Sequence, residues 1–301
     1  MARPPNPVEL SLRRINRVVD MVEANLSENL VLDDLARAAA FSRFHFHRVF
    51  HEHYGETPKE YVQRRRLELG AWLLHYSTGS IARVAQRCGF ATADGFARAF
   101  RRRFGMSPLD WRTDGFGQRL LRHLPPESME DPDAWQVRIE RLTERRVAYH
   151  RQMGPYGLNT GRQWENVTTW MGTWQLHGAT RYGMGLDDPV ITPPEQCRYD
   201  ICVELPADFA VNPRTPVKVI PAGLYAVLRY EGPPTGSSQA WLWLMEKWLP
   251  ASGYQMEKMF HFERYTAGTP NPDVDRQNCD LCVALAIEPS LIAPQFNCQP
   301  R

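Results

Sequence analysis

The sequence predicts two domains of different class: an all-α domain built from two helix-turn-helix units, then an α+β domain in which duplicated β-α-β-β units form one antiparallel sheet. Three observations predict it. The N-terminal part repeats itself at a spacing of 49 to 50 residues with helical periodicity. The C-terminal part repeats at 78 to 80 residues with strand-like alternation. The charge changes sign between them: through residue 123 there are 20 Lys and Arg against 13 Asp and Glu, and beyond it 16 against 21. At 301 residues, with 43% hydrophobic and 23% charged, the chain has material for two cores. The expected domains are 8–113 and 135–299. The linker between them, 114–134, reads DGFGQRLLRHLPPESMEDPDA, with paired prolines and an acidic run.

The helices of the first part can be justified in order. Leu12, Ile15, Val18, Val19 and Val22 make the apolar stripe of one helix, and Leu32, Leu35 and Ala36 that of a second. Phe46, Val49 and Phe50 mark a third, capped by Ser42. Tyr61, Val62, Leu67, Leu69, Leu73 and Leu74 mark a longer fourth, opened by Thr57 and Pro58, a cap residue followed by proline at the first helical position. The pattern then returns. A shift of 49 sets Leu32, Leu35, Ala36 and Ala40 on Ile81, Val84, Ala85 and Gly89. A shift of 50 sets Ser42, Phe46, Arg48, Phe50, Gly55, Pro58 and Tyr61 on Thr92, Phe96, Arg98, Phe100, Gly105, Pro108 and Trp111. The second turn therefore holds one extra residue. Each unit is a short helix, a tight turn and a second helix, with Phe41 and Phe46 placed for a hydrophobic staple in the first.

The segment FSRFHFHRVFHEH carries four histidines in nine positions. On a helical wheel His53 falls with Phe46, Val49 and Phe50 on the core side, whereas Phe44, His47, Arg48 and His51 face outward and His45 lies between. His47 and His51 have the i, i+4 spacing that zinc uses, but a structural site needs about four ligands and the neighbouring sequence offers no others. No metal is expected there. A bare Phe44 beside Arg48 suits a major groove, where a phenyl ring presses on a thymine methyl and a guanidinium pairs with guanine. Of the 20 basic residues through position 123 only Lys59 is a lysine, which favours nucleic acid over a membrane surface.

ARAAAFSRFHFHRVFHEHYGETPKEY, followed by IARVAQRCGFATADGFARAFRRRFGMSPLDWR, resembles the double helix-turn-helix domain of the AraC/XylS family of transcription regulators over about residues 11–113. The resemblance implies two reading helices on a long linker helix, entering successive major grooves about 34 Å apart on one face of double-stranded DNA. Carried over by position, the first offers Arg43, Phe44, His45, His47 and Arg48, and the second Ala93, Asp94, Gly95 and Arg98. Family members often place Gln, Ser or Thr in the second set. Ala93 and Gly95 have no hydrogen-bonding side chain and Asp94 repels phosphate, so the first helix is expected to dominate base reading. Arg98, with Arg102 in the run Arg101 to Arg103, then holds the backbone. Arg64, Arg65 and Arg66 on the linker helix are further phosphate candidates. With both reading helices in one chain, a monomer can grip a full asymmetric site.

The second part changes to short strands: VRIERL, RRVAYHRQM, ATRYGMGL, RYDICVEL, GLYAVLRY, KMFHFERY and DLCVALAI, interrupted by helices over about 159–175 and 237–249. A shift of 78 sets Ala148, Arg151, Gly154-Pro155 and Trp170 on Ala226, Arg229, Gly232-Pro233 and Trp248. A shift of 80 sets Asp200, Cys202 and Val203 on Asp280, Cys282 and Val283. Two such halves pair into one sheet with both helices on one face and a concave surface near the pseudo-twofold axis. Aromatic candidates for that surface include Tyr156, Trp164, Tyr182 and Trp241. Strand alternation in HFERY puts His261, Glu263 and Tyr265 on one face, and a carboxylate among aromatic rings suits a cationic or amphipathic small molecule.

VAYHRQMGPYG, LDDPVITPPEQCRYDICVEL, IPAGLYAVLRYEGPP, WLPASGY and FHFERY resemble the GyrI-like small-molecule-binding domain over about residues 135–290. The resemblance implies that Glu263 stands in the ligand pocket with Tyr265 beside it. The order of domains is similar to that of Rob-type transcription activators, which implies an activator that answers a small-molecule effector and contacts RNA polymerase. The second Gly-Pro loop reads GPPT where GPY is usual, so the aromatic supply to the pocket is asymmetric. Some GyrI-like domains resemble hydrolases of strained electrophilic natural products, and the alternative is that Glu263 serves as a general base there.

Several classes are disfavoured. No run approaches the roughly 18 apolar residues of a membrane span, and the start MARPPNPVELSLRR has no apolar signal core, so a cytoplasmic protein without a membrane partner is expected. Cys88, Cys197, Cys202, Cys279, Cys282 and Cys298 are then reduced thiols. In CDLC, Cys279 and Cys282 point to opposite faces of a strand, against metal or redox use. Without a Gly-rich phosphate loop or a Ser-His-Asp arrangement, neither a catalytic residue nor a cofactor is expected.

Overall fold

The computed structural model describes residues 7–117, 135–156, 160–210, 215–272 and 276–286. Helices α1 (Pro7–Ala24), α2 (Leu32–Ala38), α3 (Arg43–Tyr54) and α4 (Pro58–Tyr76) are followed by α5 (Ile81–Arg87), α6 (Ala93–Phe104) and a short α7 (Pro108–Asp110) that widens into a π-helical turn at Trp111–Gly115. The helical repeat is real in three dimensions: α5 and α6 restate α2 and α3 at the expected offsets. Ser42 and Thr92 cap α3 and α6 by accepting from the backbone N–H of His45 and Gly95, and each helix closes on a left-handed glycine, Gly55 or Gly105. Thr57 with Glu60 and Ser107 with Asp110 form capping boxes at the next helices. Phe41 turns its ring edge to His45, with centroids 4.7 Å apart.

One core gathers Ile15, Val19, Phe46, Phe50 and Tyr61, and another Leu74, Val84, Phe96, Phe100 and Trp111. Helix α4 contributes to both, and the Trp111 indole donates to the Ala71 carbonyl at 2.9 Å. The two turns share a left-handed backbone position but fill it differently. Gly89 sits at φ 72° and Ala40, its counterpart, at φ 54°, where an L side chain meets its own backbone.

The second domain is an eight-stranded antiparallel sheet of β1 (Val137–Leu142), β2 (Arg145–Met153), β3 (Arg181–Gly185), β4 (Arg198–Glu204), β5 (Val217–Ile220), β6 (Gly223–Gly232), β7 (Met256–Tyr265) and β8 (Gln277–Leu285). Their order is β1-β6-β8-β7-β3-β4-β2-β5, which reads the same from either end once the halves are exchanged. The pseudo-twofold axis therefore passes between β3 and β7. Strand β5 is not expected from the sequence, because VKVI is four residues confined between Pro216 and Pro221. It pairs with β2, while β1 pairs with β6, so each half completes the sheet of the other. Helix α8 (Thr160–Thr173) and helix α9 (Pro234–Trp243) lie on one face; α9 starts earlier than expected and continues through a π-helical turn, Leu244–Trp248, into α10 (Leu249–Ser252). Trp164, Met171, Ala240 and Leu244 pack there on Ile201, Val203, Leu281 and Val283. Cys279 belongs to this face and Cys282 to the other, as the alternation requires. Residues 118–134 of the expected linker and 287–299 of the expected second domain lie outside the described residues. Among the described residues no helix is long and apolar enough to cross a membrane.

The domains meet through buried charge. Asp187, in the loop after β3, receives the Arg198 guanidinium at 2.7 Å and that of Arg65, on α4, at 2.7 Å. Glu23 on α1 accepts from Arg65 at 2.9 Å, from the Tyr61 hydroxyl at 2.6 Å, and pairs with Arg198 at 2.9 Å. Arg151 pairs with Asp200 at 2.8 Å and reaches across to Asp20 on α1 at 2.6 Å. This corrects the expectation for the linker helix. Arg64 and Arg65 are only 6% and 4% exposed and cannot reach phosphate. Arg64 is bound to Glu56 and Glu68, Arg65 to Glu23, Glu68 and Asp187, and Arg66 donates to the carbonyls of Leu26 and Glu28. The sequence could not reveal that Arg65 meets Asp187 of the second domain, or that Arg64 and Arg66 are held by partners within the first.

Burial by itself raises the Glu23 and Asp200 carboxyls, but the guanidiniums of Arg198 and Arg65 outweigh it at Glu23, as Arg151 and Lys218 do at Asp200, which is held at about 2. Because these values are depressed, the network stabilises fully above the ordinary carboxylate range, about 4, and loses that contribution as pH falls towards 2. The thermal midpoint should drop steeply across that interval. At neutral pH, Asp187→Asn should destabilise by about 3–5 kcal/mol, because it leaves buried guanidiniums short of charge; thermal unfolding of the full chain checks both. In the same assay Ala40→Gly should stabilise by about 1 kcal/mol through relief of the left-handed alanine. Gly89→Ala should destabilise, since its Cβ would stand 2.6 Å from the Leu26 carbonyl oxygen.

Candidate functional site

On α3 the inward stripe is Phe46, Val49, Phe50 and Tyr54, and the opposite face is bare. Phe44 is 83% exposed on a capped, well-packed helix. His47, Arg48 and His51 are exposed on the same side, as the wheel predicts. Arg48 lies 3.3 Å from the His45 Nδ1, so these two side chains are held together at the start of the helix. Arg43 is exposed and stands 3.5 Å from Asp33 of α2. His53 is half-buried, and burial lowers its pKa, which fits a packed core-edge histidine. On α6, Asp94, Arg98, Arg101 and Arg102 are exposed. Arg103 instead turns back to Glu68 at 3.2 Å and lies over the Phe104 ring.

The second feature is a cavity of about 490 Å³ on the helix-bearing face of the sheet, over the β3 and β7 strands at the pseudo-twofold axis. Glu263 lies in it. Its Oε2 accepts from the hydroxyls of Tyr199 and Tyr265, each at 2.8 Å, and Gln277 donates to the Tyr265 oxygen at 2.9 Å. Gly183 on β3 makes this possible, because a Cβ there would stand 1.9 Å from the Tyr199 hydroxyl oxygen. Trp164 on α8 meets the Tyr265 ring edge-on at 4.9 Å, and Trp241 on α9 meets His261 at 5.2 Å. Tyr156 packs 5.9 Å from Tyr199 and donates to the Asp187 carbonyl. Pro234 lines the cavity where the repeat would place a second such tyrosine, so the expected asymmetry is present. Burial holds His261 neutral, with its pKa down at about 4, and its Nδ1 is buried with no hydrogen-bond partner among the described residues.

Of the expected ligand residues, Tyr156, Trp164, Trp241, Glu263 and Tyr265 come together here. Tyr182 does not. Strand alternation along β3 turns it to the other face, where its hydroxyl donates to Glu204 at 2.8 Å and its ring packs edge-on against Phe262. The sequence reading misses Tyr199, although the alternation Tyr199, Ile201, Val203 was legible on β4. It also misses Trp72, Tyr76 and Phe116 of the first domain and Glu246 after α9, which line the same cavity. A fixed carboxylate ringed by aromatic faces in a largely apolar cavity is a seat for a cation.

A model of the GyrI-like small molecule binding domain matches residues 136–286, and a helix-turn-helix domain model matches residues 35–114. The SPbeta prophage-derived putative transcriptional regulator YosT of Bacillus subtilis (strain 168) is 31% identical over 154 residues, 50% of this chain and 98% of YosT. The probable transcriptional regulator LumQ of Photobacterium leiognathi is 34% identical over 106 residues, covering 35% of this chain and 43% of LumQ, so the chain spans less than half of that relative. Among solved structures, the DNA-binding domain of AdpA, in complex with a target DNA, is 31% identical over 36% of this chain and 96% of that one, with a TM-score of 0.34. With half its length matched by the first model and residues 35–114 by the second, the chain belongs to the family with a GyrI-like small molecule binding domain and carries a helix-turn-helix domain ahead of it.

Proposed function

We propose that the chain reads duplex DNA with α3 and α6 as an activator of transcription, and that a hydrophobic cation seated at Glu263 regulates it. The observation that carries the reading is the outer face of α3. An exposed phenyl ring beside an arginine and two histidines has no use in water and matches the thymine methyl, guanine edge and phosphates of a major groove. Helix α6 repeats the placement with Arg98, Arg101 and Arg102 but with an acidic Asp94 at its start, which supports a division of labour: base reading by α3, backbone grip by α6. The cavity supports a cationic effector because Glu263 is an acceptor fixed by two phenols and surrounded by rings. YosT and LumQ carry the name of transcriptional regulators, in keeping with this reading.

Duplexes selected from a randomised pool test the DNA side. Arg48→Ala should relax base preference at one or two positions by about 1–3 kcal/mol, and more than Arg98→Ala does. Arg102→Ala should weaken all duplexes alike and reduce the slope of log affinity against log salt by about one. A larger loss of preference from Arg98→Ala would reverse the proposed roles. For the effector side, rhodamine 6G is a fluorescent hydrophobic cation and Nile red a neutral counterpart. Glu263→Gln should weaken rhodamine 6G by about tenfold and leave Nile red unchanged; equal affinity of wild type and variant for the cation would remove the electrostatic part of the proposal.

A further inference from the structure

We propose that the effector cavity is shared by the two domains, so that a hydrophobic cation seated in it lies directly against the linker helix α4 of the DNA reader; this rests on the cavity being the effector site. The floor of the cavity belongs to the sheet and its Glu263. Part of its wall does not. Trp72 and Tyr76, one turn apart on α4, line the same space, as does Phe116 beyond α7. The wall is a built structure. Trp72 and Tyr76 pack at 5.2 Å, and the His75 ring stacks on Phe116 at 3.8 Å. It is tied to the second domain in two ways: Val190 and Ile191 join the core that holds Trp72 and Phe116, and Glu246, in the π-helical turn after α9, accepts from the Tyr76 hydroxyl at 2.5 Å and meets His75 Nε2 at 3.0 Å.

Four carboxylates line the cavity: Asp187, already held by Arg198 and Arg65, Asp188, and, set among aromatic rings, Glu263 on the sheet and Glu246 at the domain border. An elongated cation with an aromatic or aliphatic body suits it: the charge at Glu263, the body on Trp72 and Phe116. Trp72 also belongs to the core that packs Phe96 and Phe100 of α6, so a molecule pressing on it touches the packing of the second reading unit. No separate relay between the domains is needed. By linkage, a duplex that binds the reader must change affinity for the cation by the same factor as the cation changes affinity for the duplex.

The test uses the full chain and rhodamine 6G, with fluorescence anisotropy as the readout. Trp72→Leu should weaken the probe about fivefold or more by removing the ring on which the aromatic body of the cation lies. Because Trp72 is also a core residue, a second measurement on the wild-type chain stands independently of folding: an aryl-azide derivative of the dye is photolysed in place and the labelled peptides are identified. Label on the peptide holding Trp72 and Tyr76, together with label on the peptide holding Glu263, is the expected result. Label confined to the second domain, with Trp72→Leu binding like wild type, overturns the shared cavity and leaves the effector site standing. Label at Trp72 and Tyr76 with Glu263→Gln binding like wild type keeps the shared wall and removes Glu263 as its counter-charge. Failure of the wild-type chain to bind the dye overturns both.

Discussion

The buried charges around Asp187 set the relation between the domains, and most of the rest depends on it. Moving guanidiniums and carboxylates out of water costs several kcal/mol per ion, and the loss is offset only where each charge finds partners at hydrogen-bonding distance. Here the partners come from different domains: Arg65 and Glu23 from the reader, Arg198 and Asp187 from the sheet. Neither set is complete alone. The geometry that satisfies them also lays α4 along the module, which is why Trp72 and Tyr76 reach a cavity otherwise built on β3, β7, α8 and α9. Docking and site formation are thus consequences of one arrangement.

The duplication within the second domain is close to symmetric in backbone and asymmetric in use. Arg151 faces Asp200 across β2 and β4, and Arg229 faces Asp280 across β6 and β8, so the same cross-strand pair recurs at the same register. The first copy is buried against α1 through Asp20, whereas the second is reinforced by Arg138 and Arg264 and does not carry the reader. At the axis, Tyr156 and Pro234 occupy equivalent places with different chemistry. One half has specialised in docking the reader, and the site at the axis combines side chains from both.

What was legible in the sequence was whatever local periodicity governs. The helix-turn-helix units, their caps at Ser42 and Thr92, the bare Phe44 and the grouping of His261, Glu263 and Tyr265 all follow from spacing of 3.6 or 2 residues. The errors arose where a side chain answers to a distant segment. Arg64 and Arg65 look like solvated charges on a helix until Asp187 and Glu56 are placed beside them. Tyr182 is one of the aromatic candidates yet lies on the other face of the sheet by one position of alternation. Strand β5 escaped because a four-residue run between prolines has no pattern of its own; its partner β2 defines it. Glycine at 183 marked a close approach that only the structure could assign to the Tyr199 ring.

The exchange of leading strands, β1 onto β6 and β5 onto β2, carries a consequence for the origin of the module. A solitary half has no neighbour to cover the flank of its own long central strand, and it would close only by embracing a second copy of itself. The present sheet therefore has the connectivity of a fused homodimer, in which tethering both copies on one polypeptide freed each to diverge while both still shape the chamber between them.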